Sequence, residues 1–114
     1  MKDDRLYLIH IAECIQRIEQ YTSEGREAFL IDTRTQDAVL RNLQPLAEST
    51  QRVSAELKAL HSEVEWRGIA EFRNVIVHDY LGVDVEEIWD IVQDDLPDLK
   101  AKVRAILEAA RQAT

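Results

Sequence analysis

The sequence has few of the residues that mark several common protein classes. Only 3 glycines and 2 prolines occur in 114 residues, which excludes collagen-like chains and disfavours turn-rich β-proteins. The single cysteine, Cys14, cannot form an internal disulfide, so a disulfide-stapled domain is excluded and a reducing compartment is favoured. No apolar run approaches the roughly 20 residues of a membrane helix. The acidic start "MKDDRLYLIH" does not resemble a signal peptide, so we expect a cytoplasmic protein with no membrane partner.

Acidic residues outnumber basic residues in the chain. There are 14 Lys and Arg against 22 Asp and Glu, and the formal net charge is −8. This total argues against nucleic-acid binding, which requires clustered basic side chains, although a local basic groove is compatible with an acidic sum. Apolar residues make up 46% of the chain, enough for a buried core. The length suits one domain rather than two, so we expect a single domain over 1–114.

Apolar residues recur at helical spacing along almost the whole chain. Steps of three and four residues place them on one face of each successive helix. Short connections between these segments imply antiparallel neighbours. The sequence therefore predicts an all-α, antiparallel bundle of about five helices. The apolar stripes are Leu8, Ile11, Ile15 and Ile18; Leu40, Leu43, Ala47 and Thr50; Ile69, Phe72 and Ile76; Val85, Ile88, Trp89 and Val92; and Leu99, Val103, Ile106 and Ala110.

Polar residues and helix breakers predict where the helices begin and end. Thr33 and Gln36 have the spacing of a capping box, which predicts that a helix opens at Thr33. Pro45 predicts a kink within that helix rather than a loop, because the apolar period continues through it. A short helical segment follows around "AELKALHSEV". The other markers are Asp3 and Asp4 at the first start, Gly25 and Gly82 at helix ends, Asp84 with Glu87 at a cap, and Pro97 in the last helix's first turn.

The familiar signatures of catalytic cofactors are missing. The three histidines, His10, His61 and His78, lie far apart and none has the spacing of a metal-ligand pair. No glycine-rich phosphate loop and no nucleophile motif occurs. We therefore expect no metal site and no cofactor. His10 and His61 are interpreted as partly buried or surface residues of helices.

One short stretch, "FRNVIVHDYLG", combines polar groups that suit catalysis. Arg73 and Tyr80 are seven residues apart and lie on one stripe, whereas His78 is about 140° around the helix from Arg73. They converge only if the helix frays near its end or if a second copy completes the site. Asn74 precedes His78 by four residues and can orient its imidazole. The alternative is structural: solvated Arg73, a surface tyrosine, and a histidine bonded to a carbonyl.

The stretch "RNVIVHDY" resembles the Arg-x4–6-His-x-Tyr motif of the HEPN superfamily. In addition, "DTRTQDAVLRNLQPLAEST" and "EWRGIAEFRNVIVHDYLGVDVEEIWDIVQDDLPDLK" resemble segments of the HepT-like toxins, so the resemblance covers nearly the whole chain. Three positions depart from the usual pattern. Glu65 replaces a proline, Glu71 replaces a glycine, and Pro45 replaces an aliphatic residue. Glu71 matters most because it places a carboxylate near the motif.

The resemblance implies a HEPN-like fold and a metal-independent ribonuclease. RNA supplies its own nucleophile, the 2′-hydroxyl, so proton transfer and charge stabilisation suffice. By this interpretation His78 transfers the proton and Arg73 holds the phosphate. Asn74 and Tyr80 support them. A two-fold homodimer would bring two His78 side chains to one groove, with Arg73 and Arg67 concentrating positive charge there.

The resemblance also implies a partner. HepT-like toxins are neutralised by a nucleotidyltransferase antitoxin of the MntA type, which can transfer AMP to the motif tyrosine, here Tyr80. The product is O-AMP-tyrosine, whose added charge would oppose RNA binding. Two alternatives remain. The chain is a non-catalytic helical adaptor that binds and orients a nucleotidyltransferase, or it is a plain homodimeric bundle with a degenerate site.

Overall fold

A computed structural model describes residues 2–78 and 84–112 of the chain, and the side chains of 3–72 and 84–112. All regular structure in these residues is helical, which confirms the all-α prediction. The helices are α1 (Lys2–Tyr21), α2 (Arg26–Ile31), α3 (Thr33–Arg52), α4 (Ala55–Leu60), α5 (Trp66–His78), α6 (Val85–Asp90) and α7 (Leu96–Gln112), with a π-helical turn over Ile91–Asp95 between the last two.

Four long helices form the body of the molecule. Helix α1 packs against α3 and α7, and α3 packs also against α5. Asp4 contacts Ser54 and His10 contacts Ser49, so α1 and α3 run antiparallel. The predicted apolar stripes supply most of the core. The buried apolar residues are Leu8, Ile11, Cys14, Ile15, Ile18, Phe29, Val39, Leu43, Leu46, Ala47, Val53, Val64, Ile69, Phe72, Ile88, Ile91, Val92, Leu96, Leu99, Val103 and Ile106.

The start of α3 differs from the predicted capping box. Thr33 is the first helical residue, and the N-cap is Asp32, whose Oδ1 accepts a hydrogen bond from the Arg34 amide at 3.0 Å. Gln36 does not reach back to the cap. Its Nε2 donates instead to the carbonyls of Phe29 and Leu30 at the end of α2. The capping-box prediction was therefore wrong, because Gln36 satisfies the orphan carbonyls of the preceding helix.

Pro45 and the cap residue Asp84 act as the sequence predicted. Pro45 lies inside α3, which continues without a loop from Thr33 to Arg52. The predicted cap at Asp84 is confirmed, since its Oδ1 accepts from the Glu87 amide at 3.2 Å. Gly25, with φ 96°, is the N-cap of α2. Helix α1 ends at Tyr21, four residues before the predicted stop at Gly25. Gly82 lies outside the described residues.

Helix α7 is joined to α6 without a break. The Leu96 amide donates to the Ile91 carbonyl five residues back, which is the π-helical pattern. Pro97 follows directly and lies in the first turn of α7. Ala110, predicted to be buried, is exposed with the rest of the last turn. None of the described helices is both long and apolar enough to cross a membrane.

Candidate active site

Three of the motif positions, 73, 74 and 78, lie on α5, whose first half packs against the core. Ile69 and Phe72 are buried against the core. The half-buried Trp66 indole donates from Nε1 to the His61 carbonyl at 2.9 Å, which fixes the first turn of the helix to the preceding loop. Helix α5 packs against α3. These contacts therefore fix the direction of the α5 axis, and with it the position of the second half of the helix.

Arg73, Asn74 and His78 are residues of that second half, and α5 is helical through His78. Their side chains are outside the described part of the chain, and Asp79 and Tyr80 lie outside it entirely. Whether the four side chains meet therefore stays a prediction. Because the helix is regular as far as His78, positions 73 and 78 are about 140° apart around its axis. Fraying before His78 does not bring them together.

Positions 74 and 78 share a face of the α5 helix with positions 67 and 71 by helical spacing. Arg67 and Glu71 are exposed, and steps of three, four and seven residues from them lead to 74 and 78. Glu71 is seven residues before 78, about 10 Å along the axis. The departure at Glu71 thus places a carboxylate on the same face as the motif histidine, as the sequence suggested.

A cleft of about 440 Å³ borders the first half of α5. Its apolar floor includes Ile69, Phe72 and Leu99. Among the described side chains, its charged lining is entirely acidic, with no Lys or Arg. The carboxylates come from the residue before α5 and from α5, α6, the π-helical turn and α7: Glu65, Glu71, Glu87, Asp90, Asp94, Asp95 and Asp98.

The crowding of carboxylates affects Asp95. Partial burial, and then the neighbouring charges of Asp94, Asp98 and Asp90, raise the pKa of its carboxyl. Such a surface repels phosphate. Arg67 does not line the cleft, so its guanidinium does not offset these charges there.

The other histidines have structural contacts. The Nδ1 atom of His10 is 2.7 Å from the Ser49 hydroxyl oxygen, and its Nε2 is 3.7 Å from the Cys14 sulfur. Burial raises the pKa of Cys14, which keeps the thiol protonated and unreactive. His61 lies at the C-cap of α4, not within a helix, and contacts Glu63 at 3.2 Å. No group of three potential metal ligands occurs among the described side chains.

The His10 contacts are the part that the sequence reasoning missed. His10 was interpreted as partly buried, which is confirmed, but its link to Ser49 across 39 residues was not foreseen. The only local signal was the four-residue spacing between His10 and Cys14, which places the two side chains on one helix face. The Ser49 contact depends on how α1 and α3 pack.

Comparison with known proteins decides the family. A model of the family described as "Ribonuclease HepT-like" matches residues 11–106. The chain belongs to the HepT-like ribonuclease family. This confirms the resemblance drawn from the motif and its flanking segments. No solved structure matches significantly.

Two relatives of this HepT-like chain are similar over most of its length. A Thermococcus cleftensis protein named "Probable ribonuclease HepT" is 43% identical over 97 residues, which cover 84% of this chain and 88% of the relative. "Putative RNase TTE0752" of Caldanaerobacter subterraneus subsp. tengcongensis is 34% identical over 109 residues, covering 95% of this chain and 97% of the relative. The similarity thus extends over the whole bundle, not only over the motif.

Proposed function

We propose that this chain, a single HEPN-like domain over 1–114, is a cytoplasmic endoribonuclease and the toxin of a toxin–antitoxin pair. The observation that carries the proposal is the unbroken α5, which bears Arg73 and His78 at the motif spacing in a HepT-like chain. A purely structural helix has no chemical need for this set. The adaptor alternative does not account for it.

The proposed reaction needs only groups that RNA and this motif supply. The 2′-hydroxyl oxygen attacks the adjacent phosphorus, and the bond from phosphorus to the 5′-oxygen breaks. His78 accepts the proton of the attacking hydroxyl or donates one to the leaving oxygen. Arg73 stabilises the negative charge on the non-bridging oxygens. The products are a 2′,3′-cyclic phosphate and a 5′-hydroxyl, with Asn74 and Tyr80 positioning the reacting groups.

Two copies of the chain complete the proposed site. A second His78 would let one imidazole act as the base while the other acts as the acid, and positions 73 and 78 of a single chain diverge around α5. A two-fold dimer with its axis near the second half of α5 supplies two histidines and two arginines to one groove. It also concentrates positive charge in a chain of net charge −8.

Substitutions of the motif test the proposal. His78→Ala and Arg73→Ala should each reduce cleavage of a long RNA by at least about 100-fold, the usual contribution of general acid–base catalysis. His61→Ala is the matched control and should leave the rate unchanged. EDTA should have no effect, and the products should carry cyclic phosphate ends. Full activity in His78→Ala, or activity that EDTA abolishes and magnesium restores, would contradict the mechanism.

The proposed antitoxin is a nucleotidyltransferase that transfers AMP from ATP to the Tyr80 hydroxyl and releases pyrophosphate. Attached AMP would add a phosphodiester charge beside Arg73 and compete with RNA. Co-expression with a nucleotidyltransferase encoded beside this chain should add AMP mass to the Tyr80 peptide and silence cleavage. Tyr80→Phe should remain unmodified. Silencing without modification would instead indicate that the antitoxin masks the site sterically.

A further inference from the structure

A second groove lies between α1 and α7, outside the candidate active site. It has a volume of about 520 Å³, and none of the α5 side chains that the structure describes lines it. Its lining consists of Arg5, Ile9, Arg104, Leu107, Glu108 and Arg111. We call this surface the arginine groove.

The charge of the arginine groove is opposite to that of the molecule. Three arginines and one glutamate give its lining a formal charge of +2, whereas the whole chain has −8. The one acid, Glu108, accepts a hydrogen bond from the Gln112 amide at 3.2 Å. All three arginines are exposed. Positive charge is therefore gathered on one local surface despite the acidic sum.

Basic side chains elsewhere on the same two helices are neutralised. Arg17 pairs with Glu13, Lys100 with Glu19 at 2.9 Å, and Lys102 with Asp98 at 2.9 Å. By contrast, Arg5 and Arg104 have no carboxylate within ion-pair distance among the described side chains. The guanidinium groups of Arg5 and Arg104 are therefore available to an anionic ligand.

The spacing of the arginines fits a chain of phosphates. Arg104 and Arg111 are seven residues apart on α7, or about 10 Å along the helix axis. One strand of a double helix advances about 3.4 Å per phosphate along its axis, and a single strand can be more extended, so this interval spans at most about three nucleotides. Arg5 faces them from α1, and Ile9 and Leu107 form a half-buried aliphatic floor between the two helices. Guanidinium groups bind phosphate oxygens through paired N–H donors.

We propose that the arginine groove binds the phosphate backbone of the RNA substrate away from the bond that is cut. This inference rests on the proposed ribonuclease function. The longest dimension of the molecule is 46 Å, which about 14 nucleotides span at the same advance per phosphate. An RNA of 30 nucleotides therefore reaches both the motif and the groove. A tetranucleotide bound at the motif is too short to gain from both.

The test neutralises the groove with the triple variant Arg5→Gln, Arg104→Gln and Arg111→Gln. For a 30-nucleotide RNA, KM should rise at least tenfold at 0.1 M salt while kcat is unchanged. For a tetranucleotide, both constants should be unchanged. Each single-strand phosphate contact contributes about 0.7 to the slope of log affinity against log salt, so the slope should fall by about 2.

A matched control separates the groove from net charge. The variant Arg17→Gln, Lys100→Gln and Lys102→Gln removes the same charge from the same two helices, where the side chains are already paired. It should bind the 30-nucleotide RNA like the unmodified protein. Circular dichroism and urea unfolding should show that both triple variants remain folded.

Three results would overturn the inference. They are an unchanged KM and salt slope in the groove variant, an equal loss with the tetranucleotide, or an equal weakening in the control variant. Fluorescence anisotropy with the uncut 30-nucleotide RNA measures binding without cleavage. Loss of groove binding and loss of His78-dependent cleavage are thus scored separately. A poly-glutamate peptide that displaces RNA at equal charge concentration would indicate a general polyanion surface and would also contradict RNA binding as its role.

Discussion

The Oδ2 atom of Asp4 accepts a hydrogen bond from the Ser54 hydroxyl at 2.6 Å, and its Oδ1 accepts one from the Ser54 amide at 2.8 Å. The same hydroxyl oxygen accepts from the Leu57 amide and is the N-cap of α4. One buried carboxylate thus ties the first turn of α1 to the start of α4, 50 residues later. It helps to position the loop that leads into the motif helix.

Loss of this link should destabilise the fold. Asp4→Asn should lower the free energy of unfolding by about 1.5–3 kcal/mol, the usual range for hydrogen bonds to a charged group. Ser54→Ala should cost a similar amount, since it also removes a helix cap. Urea unfolding of both single variants and the double variant gives their coupling. Additive losses would show that the two residues act independently.

The same pair should make stability depend on acid. Burial would raise the pKa of Asp4, but the hydrogen bonds from Ser54 outweigh it and hold the pKa below its ordinary 3.8. A group whose pKa is lower in the folded state stabilises above its unfolded pKa, and that contribution is lost as pH falls through the folded value. The gap between wild type and Asp4→Asn should be constant from pH 7 to 5 and shrink below about 3.8. Urea unfolding at pH 7, 5, 3.5 and 3 measures it; a gap that persists unchanged at pH 3 would contradict the assignment.

Substitution by alanine should change the free energy of unfolding in opposite directions at Gly25 and Gly68. Gly25 has φ 96° and ψ −176°, a region that is essentially reserved for glycine, so Gly25→Ala should cost about 1–3 kcal/mol. No atom lies within 4 Å of its added Cβ, so the cost is one of backbone strain alone. Gly68 lies in α5, where the new Cβ is 3.7 Å from that of Glu65. Gly68→Ala should therefore stabilise by roughly 0.5–1 kcal/mol. Thermal and urea unfolding compare them, and equal signs would refute the backbone argument.

Sequence periodicity predicted the long helices because burial repeats with the helical period. The stripes of α1 and α6 were correct for this reason. Helix α2 was missed because its six residues carry no continuing apolar stripe; its one buried residue is Phe29, whose ring centroid lies 5.5 Å from that of Trp89. Helix α6 is equally short, but its stripe continues to Val92. The π-helical turn was missed as well. It lies between the apolar stripes of α6 and α7, just before Pro97, and no repeat of apolar residues in the sequence indicates it.

The candidate site was predictable only in part. The motif residues are local in sequence, so their spacing on α5 follows from helical geometry alone. The acidic cleft beside α5 is not local, because its carboxylates come from four separate elements. Glu71 was noticed as a departure. Glu65 directly precedes the same helix, but the other five acidic residues could be identified as neighbours only after α6, the π-helical turn and α7 had been placed against α5.

Glu71 should weaken RNA binding through charge rather than contact. Its carboxylate is about 10 Å along the axis from position 78, where two unit charges in water interact by about 0.4 kcal/mol. Glu71→Gln should therefore lower KM for RNA about twofold at low salt. The effect should vanish in 1 M salt, where the screening length is about 3 Å. Glu24→Gln, an exposed change in the turn after α1, should have no effect, and a salt-independent gain would indicate a steric role for Glu71 instead.

The proposed composite site predicts how mixtures of active and inactive chains behave. If each reaction groove needs His78 from both copies, a dimer with one His78→Ala chain is inactive. After an equal mixture of wild-type and variant chains has exchanged subunits, one quarter of the dimers are fully wild type. Activity per total protein should then be about one quarter of the wild-type value, because the three kinds of dimer form in the ratio 1:2:1 for a two-fold assembly.

Independent sites predict a different value for the same mixture. If each chain carries a complete site, half of the sites remain and activity should be one half. Subunit exchange can be verified by tagging one chain and measuring mixed dimers by native mass spectrometry before the assay. A mixture prepared without exchange should give one half under both hypotheses and is the internal control. A value of one half after complete exchange would show that each chain acts alone. In that case His78 would have to perform both proton transfers within one copy.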